Sequence, residues 1–266
     1  MGSAPKVLNS VVAQFDTLTP GLKLFNLDNV VAKALILNKK LVIVAGALGG
    51  LGSQIAAHLS RQYEVIGLGR STPLQTPEKY RYISLNLFDV EEMREFCERE
   101  VDSSLYGVVN CIGSVANNPI WKMTRSEWDD ALNNNVTSCF SLLSTFAPQM
   151  RANGVGRFLF LSSVVARRGS FGASHYAAAK GAIESLTKSV AIELTPKNIT
   201  VNAIAPGYMD AGIIRSVPTD ILSGVIEGIP QKRLGPSTEI CFLAEYLLSE
   251  NASYITGETL GINGGL

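Results

Sequence analysis

Leu41-Val42-Ile43-Val44-Ala45-Gly46-Ala47-Leu48-Gly49-Gly50-Leu51-Gly52-Ser53 is an apolar run, a glycine-rich turn and the first residue of a helical stretch that reaches Ser60. A strand, a turn and a helix in that order gather backbone amides and the positive end of a helix dipole at one point, where a phosphate is held. Glycines in the turn let the backbone come close to a diphosphate, so the stretch predicts a dinucleotide site. A glycine turn alone is weak evidence, and its surroundings decide.

Those surroundings repeat the pattern. Apolar runs recur at Glu64 to Leu68, Tyr82 to Leu87, Gly107 to Cys111, Arg157 to Leu161, Thr200 to Ala205 and Thr259 to Ile262, with amphipathic segments between them. Strands that are apolar on both faces and separated by helices predict a parallel sheet covered on both sides. Right-handed crossovers make it a doubly wound, Rossmann-type α/β domain with its ligand at the carboxyl ends of the strands. No repeat or linker divides residues 41–266, which read as one catalytic domain. Residues 1–40 read as a helical N-terminal extension. Val7, Leu8, Val11, Val12, Phe15 and Leu18 share one helical face, and Val30, Val31, Ala34 and Leu35 mark a second helix from Asp28. These faces are expected to pack against the domain or a neighbouring subunit.

Composition narrows the function. The 266 residues are 46% hydrophobic and 17% charged, a globular composition. Lys plus Arg equals Asp plus Glu at 23 each, so the basic excess of a nucleic-acid-binding domain is missing. Four cysteines without a Cys-x-x-Cys pair read as reduced, buried thiols, and no His/Asp/Glu cluster suggests a metal. The chain shows no signal peptide and no apolar stretch of the ~20 residues a membrane span needs, so a cytoplasmic enzyme is expected.

Tyr176-Ala177-Ala178-Ala179-Lys180 puts a phenol and an ammonium on one helical face. Reducing a carbonyl takes a hydride at carbon and a proton at oxygen. A phenol with a pKa near ~10 is a poor base, and a close cation is expected to lower that pKa. Ser163, thirteen residues upstream at the end of an apolar strand, supplies a hydroxyl to polarise the substrate oxygen. Asn133-Asn134-Asn135 are three poor helix formers in a helical segment, so something other than propensity keeps them there. His175 adjoins Tyr176, but neighbouring helical residues point apart, and packing is its expected role.

The spacing Gly46-x-x-x-Gly50-x-Gly52 together with Ser163, Tyr176 and Lys180 resembles the short-chain dehydrogenase/reductase family over residues 41–266. The stretches Ile229 to Pro236, Ser253 to Gly257 and Asn263 to Gly265 look most like its β-ketoacyl-carrier-protein reductases. The resemblance implies a catalytic set of Asn135, Ser163, Tyr176 and Lys180, with Asn135 holding a relay water. It implies cofactor contacts at Gly46, Leu48, Gly49, Gly50, Leu51 and Gly52, at Asn86 and Leu87 after the third strand, and at Asn110 and Gly113 after the fourth. Tyr176, Lys180, Pro206, Gly207 and Met209 complete that shell on the nicotinamide side. Cys111 and Ile112 depart from the family's Asn-Asn-Ala-Gly pattern, and Ala211 stands where relatives often carry Thr. At the end of the second strand the carboxylate of an NAD enzyme is missing. Arg70 and Ser71 there suit the 2′-phosphate of NADPH, so NADPH is expected rather than NAD.

The expected reaction is NADPH-dependent reduction of a 3-oxoacyl thioester or related small ketone, free or bound to a carrier protein that Arg167, Arg168 and Lys197 would meet. The segment Asp210 to Gln231 is expected to wall an apolar substrate site. The resemblance also implies a homodimer or homotetramer paired through the helices containing Asn135 and Tyr176. The alternatives are an NAD-linked alcohol dehydrogenase acting on a sterol, sugar or specialised metabolite, and a non-enzymatic cofactor sensor. An enoyl reductase fits less well, because many of those use a longer Tyr-to-Lys spacing.

Overall fold

Leu41–Ala45 (β1) is buried along its whole length, as a strand covered on both faces must be. The computed structural model describes residues 39–266, and Lys40–Leu266 form one compact unit. The helices expected at residues 3–19 and 28–35 lie outside the described residues. Around β1 a seven-stranded, wholly parallel sheet assembles from Glu64–Gly69 (β2), Arg81–Ser84 (β3), Leu105–Asn110 (β4), Gly156–Leu161 (β5), Ile199–Pro206 (β6) and Thr259–Ile262 (β7). Its order is β3-β2-β1-β4-β5-β6-β7. The order reverses direction between β1 and β4, and the crevice at such a switch point is where doubly wound sheets take their ligand.

Helices cover both faces: Gly52–Leu59 (α1), Val90–Glu100 (α2), Arg125–Leu132 (α3), Ser138–Asn153 (α4), the short Val165–Arg168 (α5), Ser174–Leu194 (α6), Thr219–Glu227 (α7) and Ser237–Leu248 (α8). Two apolar cores result, one on each side of the sheet. One holds Phe96, Phe146, Phe158 and Phe160; the other holds Ile55, Leu59, Tyr106 and Leu248. Each fully buried aromatic or aliphatic side chain contributes roughly 1.5–3 kcal/mol. No helix among the described residues is long and apolar enough to cross a membrane.

The expected elements differ from the observed ones in two places that matter. The third strand ends at Ser84 rather than at Leu87. Leu85 and Leu87 are buried like strand residues, but Asn86 between them donates its backbone N–H to Glu92 and accepts from Phe88 N at 3.2 Å, which turns the chain into α2. The second difference is the asparagine run. Residues Asn133–Thr137 form a π-helical turn between α3 and α4. That turn is what keeps three poor helix formers inside a helical stretch. Its widened register points Asn135 inward, where it is fully buried.

Candidate active site

Gly46 leaves β1 with φ +77°, and a Cβ there would meet the Cys111 carbonyl carbon and Ile112 N at 3.0 Å. Gly49 N donates to Gly46 O at 2.9 Å and closes the turn. Gly52, the first residue of α1, packs so closely that a Cβ would lie 2.2 Å from Gly46 O. Gly50 lies against the backbone of Gly212 in the loop after β6. Leu48 is exposed on the turn, and Leu51 precedes α1 without a side-chain cap. An uncapped helix start behind a turn that only glycine can line is what a diphosphate needs. The residues present fit a dinucleotide.

The remaining shell lies along the same edge. Arg70 and Ser71 follow β2 on the surface, where Arg70 reaches Asn134 Oδ1 at 3.5 Å and Ser71 O accepts from the Tyr82 hydroxyl at 2.8 Å. Leu87 is buried in the core, so its backbone, not its side chain, is what it offers a ligand. Asn110 is committed in the same way. Its Nδ2 donates to Ser138 Oγ at 2.8 Å, and its Oδ1 accepts from Ile112 N at 3.0 Å, so the side chain fastens the end of β4 to α4. Pro206 ends β6, and Gly207 N donates to Ile262 O at 2.9 Å. Met209 is buried against Gly235.

The four residues singled out for chemistry converge at the carboxyl ends of β4 and β5. Ser163 is buried two residues beyond β5, with Val165 N donating to its Oγ at 3.2 Å. Tyr176 and Lys180 project from the first turns of α6. Lys180 Nζ is fully enclosed, donates to Leu161 O at 2.7 Å and lies 5.5 Å from the centre of the Tyr176 ring. Asn135 Nδ2 donates to Ala131 O at 2.8 Å and to Ser114 O at 3.2 Å, while its Oδ1 has no partner among the described residues. A Cβ on Gly113 would stand 2.8 Å from that Oδ1 and 3.1 Å from Lys180 Nζ. The orphan acceptor and the buried ammonium therefore meet at one point, which only glycine leaves open.

Burial governs the ionisation of this group. It raises the Tyr176 phenol above its usual value, and the Ser163 hydroxyl beside it pulls the other way. The expectation that Lys180 holds the phenol low is not what this geometry gives. The ammonium is turned to the Leu161 carbonyl, and desolvation of the phenol wins. At neutral pH the phenol keeps its proton. Burial also lowers Lys180 to about 8. The Cys111 and Cys139 thiols nearby are pushed up to about 12 and about 11, so they remain neutral.

Lys180 has a consequence for stability. Below pH 8 both folded and unfolded chains carry the charge, and the folded protein bears its full burial cost. From about pH 8 to 10.5 the folded state has lost a proton that the unfolded chain still holds, so stability rises with pH. The gain is on the order of 3 kcal/mol across that window. Denaturant titrations of the wild type and Lys180→Met between pH 7 and 10 check this: the wild type gains stability relative to the variant.

Glu184 and Ser162 were not singled out from the sequence. Ser162 Oγ donates to Lys180 O at 3.2 Å and to Glu184 Oε1 at 2.9 Å, and Arg167 pairs with Glu184 at 3.1 Å. Together they fasten α6 to the end of β5 and fix where Tyr176 and Lys180 stand. The signal was the four-residue step from Lys180 to Glu184 on one helical face. His58 pairs with Glu245 and meets the Phe242 ring edge-on at 5.0 Å, a packing role away from this group.

Comparison with known proteins agrees with the geometry. The family described as Enoyl-(Acyl carrier protein) reductase matches residues 46–266. Nodulation protein G of Azospirillum brasilense is 33% identical over 245 residues, covering 86% of this chain and 99% of that protein. The 3-oxoacyl-[acyl-carrier-protein] reductase FabG of Escherichia coli is 34% identical over 240 residues, covering 85% and 97%. Its counterpart in Staphylococcus epidermidis is 30% identical over 240 residues, covering 85% and 98%. With a parallel Rossmann-type sheet, a glycine-lined turn and near-complete coverage of these relatives, the chain belongs to the short-chain dehydrogenase/reductase family and is an NAD(P)-dependent oxidoreductase.

Proposed function

We propose that the chain reduces the carbonyl of a 3-oxoacyl thioester, or a related small ketone, to the alcohol with NADPH, and that Tyr176 supplies the proton. The observation that carries this reading is the Ser163 hydroxyl beside a half-buried Tyr176 phenol, with the Lys180 side chain enclosed behind them. A nicotinamide held there would supply a hydride to the carbonyl carbon. The rest is done by side chains. Ser163 donates a hydrogen bond to the carbonyl oxygen and polarises it. Tyr176 gives its proton to that oxygen as negative charge develops there, which a raised pKa favours in the direction of reduction. Lys180 would hold the cofactor ribose with donors that Leu161 O does not use. Asn135 Oδ1 and Lys180 Nζ bridge through a water to return a proton to the phenol.

Gly46, Leu48, Gly49, Gly50, Leu51 and Gly52 hold the diphosphate in this reading. Asn86, Leu87, Asn110 and Gly113 bound the adenine and ribose side, and Pro206, Gly207 and Met209 bound the nicotinamide. Arg70 and Ser71 take the 2′-phosphate. Arg70→Glu is therefore expected to raise KM for NADPH by about 10- to 100-fold, as loss of a charge-assisted hydrogen bond implies, and to leave KM for NADH near its wild-type value. Initial rates with each cofactor check it. A wild-type preference for NADH removes the role given to Arg70.

Carrier-bound thioesters are the favoured substrates because the FabG relatives are named for them. Arg168 and Lys197 are exposed cations able to meet an acidic carrier, whereas Arg167 is tied to Glu184 and to Thr259 O. A homodimer or homotetramer belongs to the same proposal, and it would cover the exposed Phe140 on α4 and Ile192 on α6. Enoyl reduction, which the family description names, is the second reading. The four-residue step from Tyr176 to Lys180 with Ser163 opposite favours the carbonyl.

A further inference from the structure

Two loops leave the carboxyl ends of the adjacent strands β4 and β5, and each is anchored in the group just described. Residues 111–124 begin where Asn135 Nδ2 grips Ser114 O at 3.2 Å. Residues 162–173 run from Ser163 to the start of the helix that carries Tyr176. The loops are stitched together by Asn118 N, which donates to Gly172 O at 2.8 Å. Asn118 Nδ2 also reaches Lys122 O and the Glu127 carboxylate, each at 3.1 Å, so the rim is firmly held.

Each loop then makes a tight turn with an aromatic residue at its corner. Lys122 N donates to Pro119 O at 2.8 Å, with Ile120 and Trp121 between them; Ala173 N donates to Ser170 O at 3.2 Å, with Phe171 and Gly172 between them. Turn corners ordinarily carry Gly, Asn, Asp, Ser or Pro, whose conformations and solubility suit the position. Trp121 and Phe171 are instead 72% and 79% exposed. They meet across the two loops, with ring centres 6.1 Å apart and planes inclined by 67°. Isolated exposed apolar residues need no explanation, but two aromatics brought edge to face from the loops that follow β4 and β5 do. Nothing in the fold requires them, since the backbone hydrogen bonds already close the rim.

We propose that Trp121 and Phe171 determine substrate specificity by receiving the substituent that the reacting carbonyl carries on the side away from the thioester, and that they select a planar aryl or conjugated one. The proposal rests on the reading of Ser163 and Tyr176 as the reacting end. Two rings set at 67° present a face and an edge to a third, and a flat unsaturated group makes the offset or edge-on contacts that a short alkyl group cannot. Such contacts correspond to a preference of about tenfold.

The test compares benzoylacetyl and acetoacetyl thioesters of N-acetylcysteamine with NADPH, using wild type, Trp121→Ala, Phe171→Ala and Trp121→Phe. Wild type is expected to favour the benzoylacetyl thioester about tenfold in kcat/KM. Each alanine variant is expected to lose that preference through KM, with kcat on the acetoacetyl thioester unchanged, and Trp121→Phe to retain most of it. An aryl-to-alkyl ratio that does not move in the alanine variants overturns the proposal. So does a fall in oligomer size on gel filtration with both substrates weakened equally, which would make the pair a contact between copies. Calorimetric titration of the benzoylacetyl thioester into wild type and Phe171→Ala, each saturated with NADP⁺, reads the rim without turnover. If neither thioester is reduced but binding weakens about tenfold in the variant, the reaction assignment falls and the rim stands; equal binding removes the rim.

Discussion

Tyr176→Phe is expected to lower kcat on a 3-oxoacyl thioester by 10²- to 10⁴-fold, the usual value of a positioned general acid, while KM changes little. The ring remains, so its packing and the place of Lys180 beside it are kept. What disappears is the hydroxyl that burial holds in its protonated form. A transition state that gathers negative charge on oxygen then has only the Ser163 hydroxyl as a donor. Losing both hydroxyls is not expected to multiply the two effects, because the groups act on the same oxygen. Thermal unfolding of the variant should match the wild type closely, which separates lost chemistry from lost fold. A variant that turns over at the wild-type rate removes Tyr176 from the mechanism.

Gly52→Ala is expected to carry the second large effect, this time on binding and stability together. Helix propensity alone favours the change by about 1 kcal/mol, because glycine is a poor helix former. Sterics oppose it more strongly. The added Cβ would lie 2.2 Å from Gly46 O and 2.9 Å from Gly46 C, both backbone atoms that no rotamer change can clear. The turn must open, and overpacking of this kind costs about 1–3 kcal/mol. An opened turn also spreads the amides that receive the diphosphate. Stability is expected to fall by about 1–2 kcal/mol net, and cofactor Kd to rise at least about tenfold. Urea titration and calorimetry with NADPH check the two parts. Unchanged affinity would place the cofactor elsewhere.

Much of this was legible in the sequence because burial on both faces writes itself as unbroken apolar runs. Leu41 to Ala45 and Arg157 to Leu161 are strands for that reason. The pairing of Tyr176 with Lys180 was legible because helical period is a local property. What depends on hydrogen-bond register or on distant neighbours was not. The three asparagines gave no sign that a π-helical turn carries them, since one widened turn leaves the composition unchanged. The direction of the Tyr176 pKa was misread because the four-residue spacing to Lys180 shows the cation and not the burial or the Leu161 carbonyl that accepts its hydrogen bond. Asn110 reads as a cofactor contact from its place at the end of β4, and only the fold shows that its side chain is spent on Ser138 and Ile112, which leaves its backbone for a ligand. Trp121 and Phe171 lie fifty positions apart in the chain, and only the fold brings their rings together.

In the proposed reading the site reduces a carbonyl, with Ser163, Tyr176 and Lys180 arranged to deliver a proton to oxygen. The most direct measurement is NADPH oxidation by the wild-type protein on matched 3-oxoacyl and 2-enoyl thioesters, each presented free, on coenzyme A and on a carrier protein, with product identified by mass. Steady formation of the 3-hydroxyacyl product is expected, fastest on the carrier, with no saturated product from the enoyl thioester. Reduction of the enoyl thioester without reduction of the 3-oxoacyl thioester would contradict it.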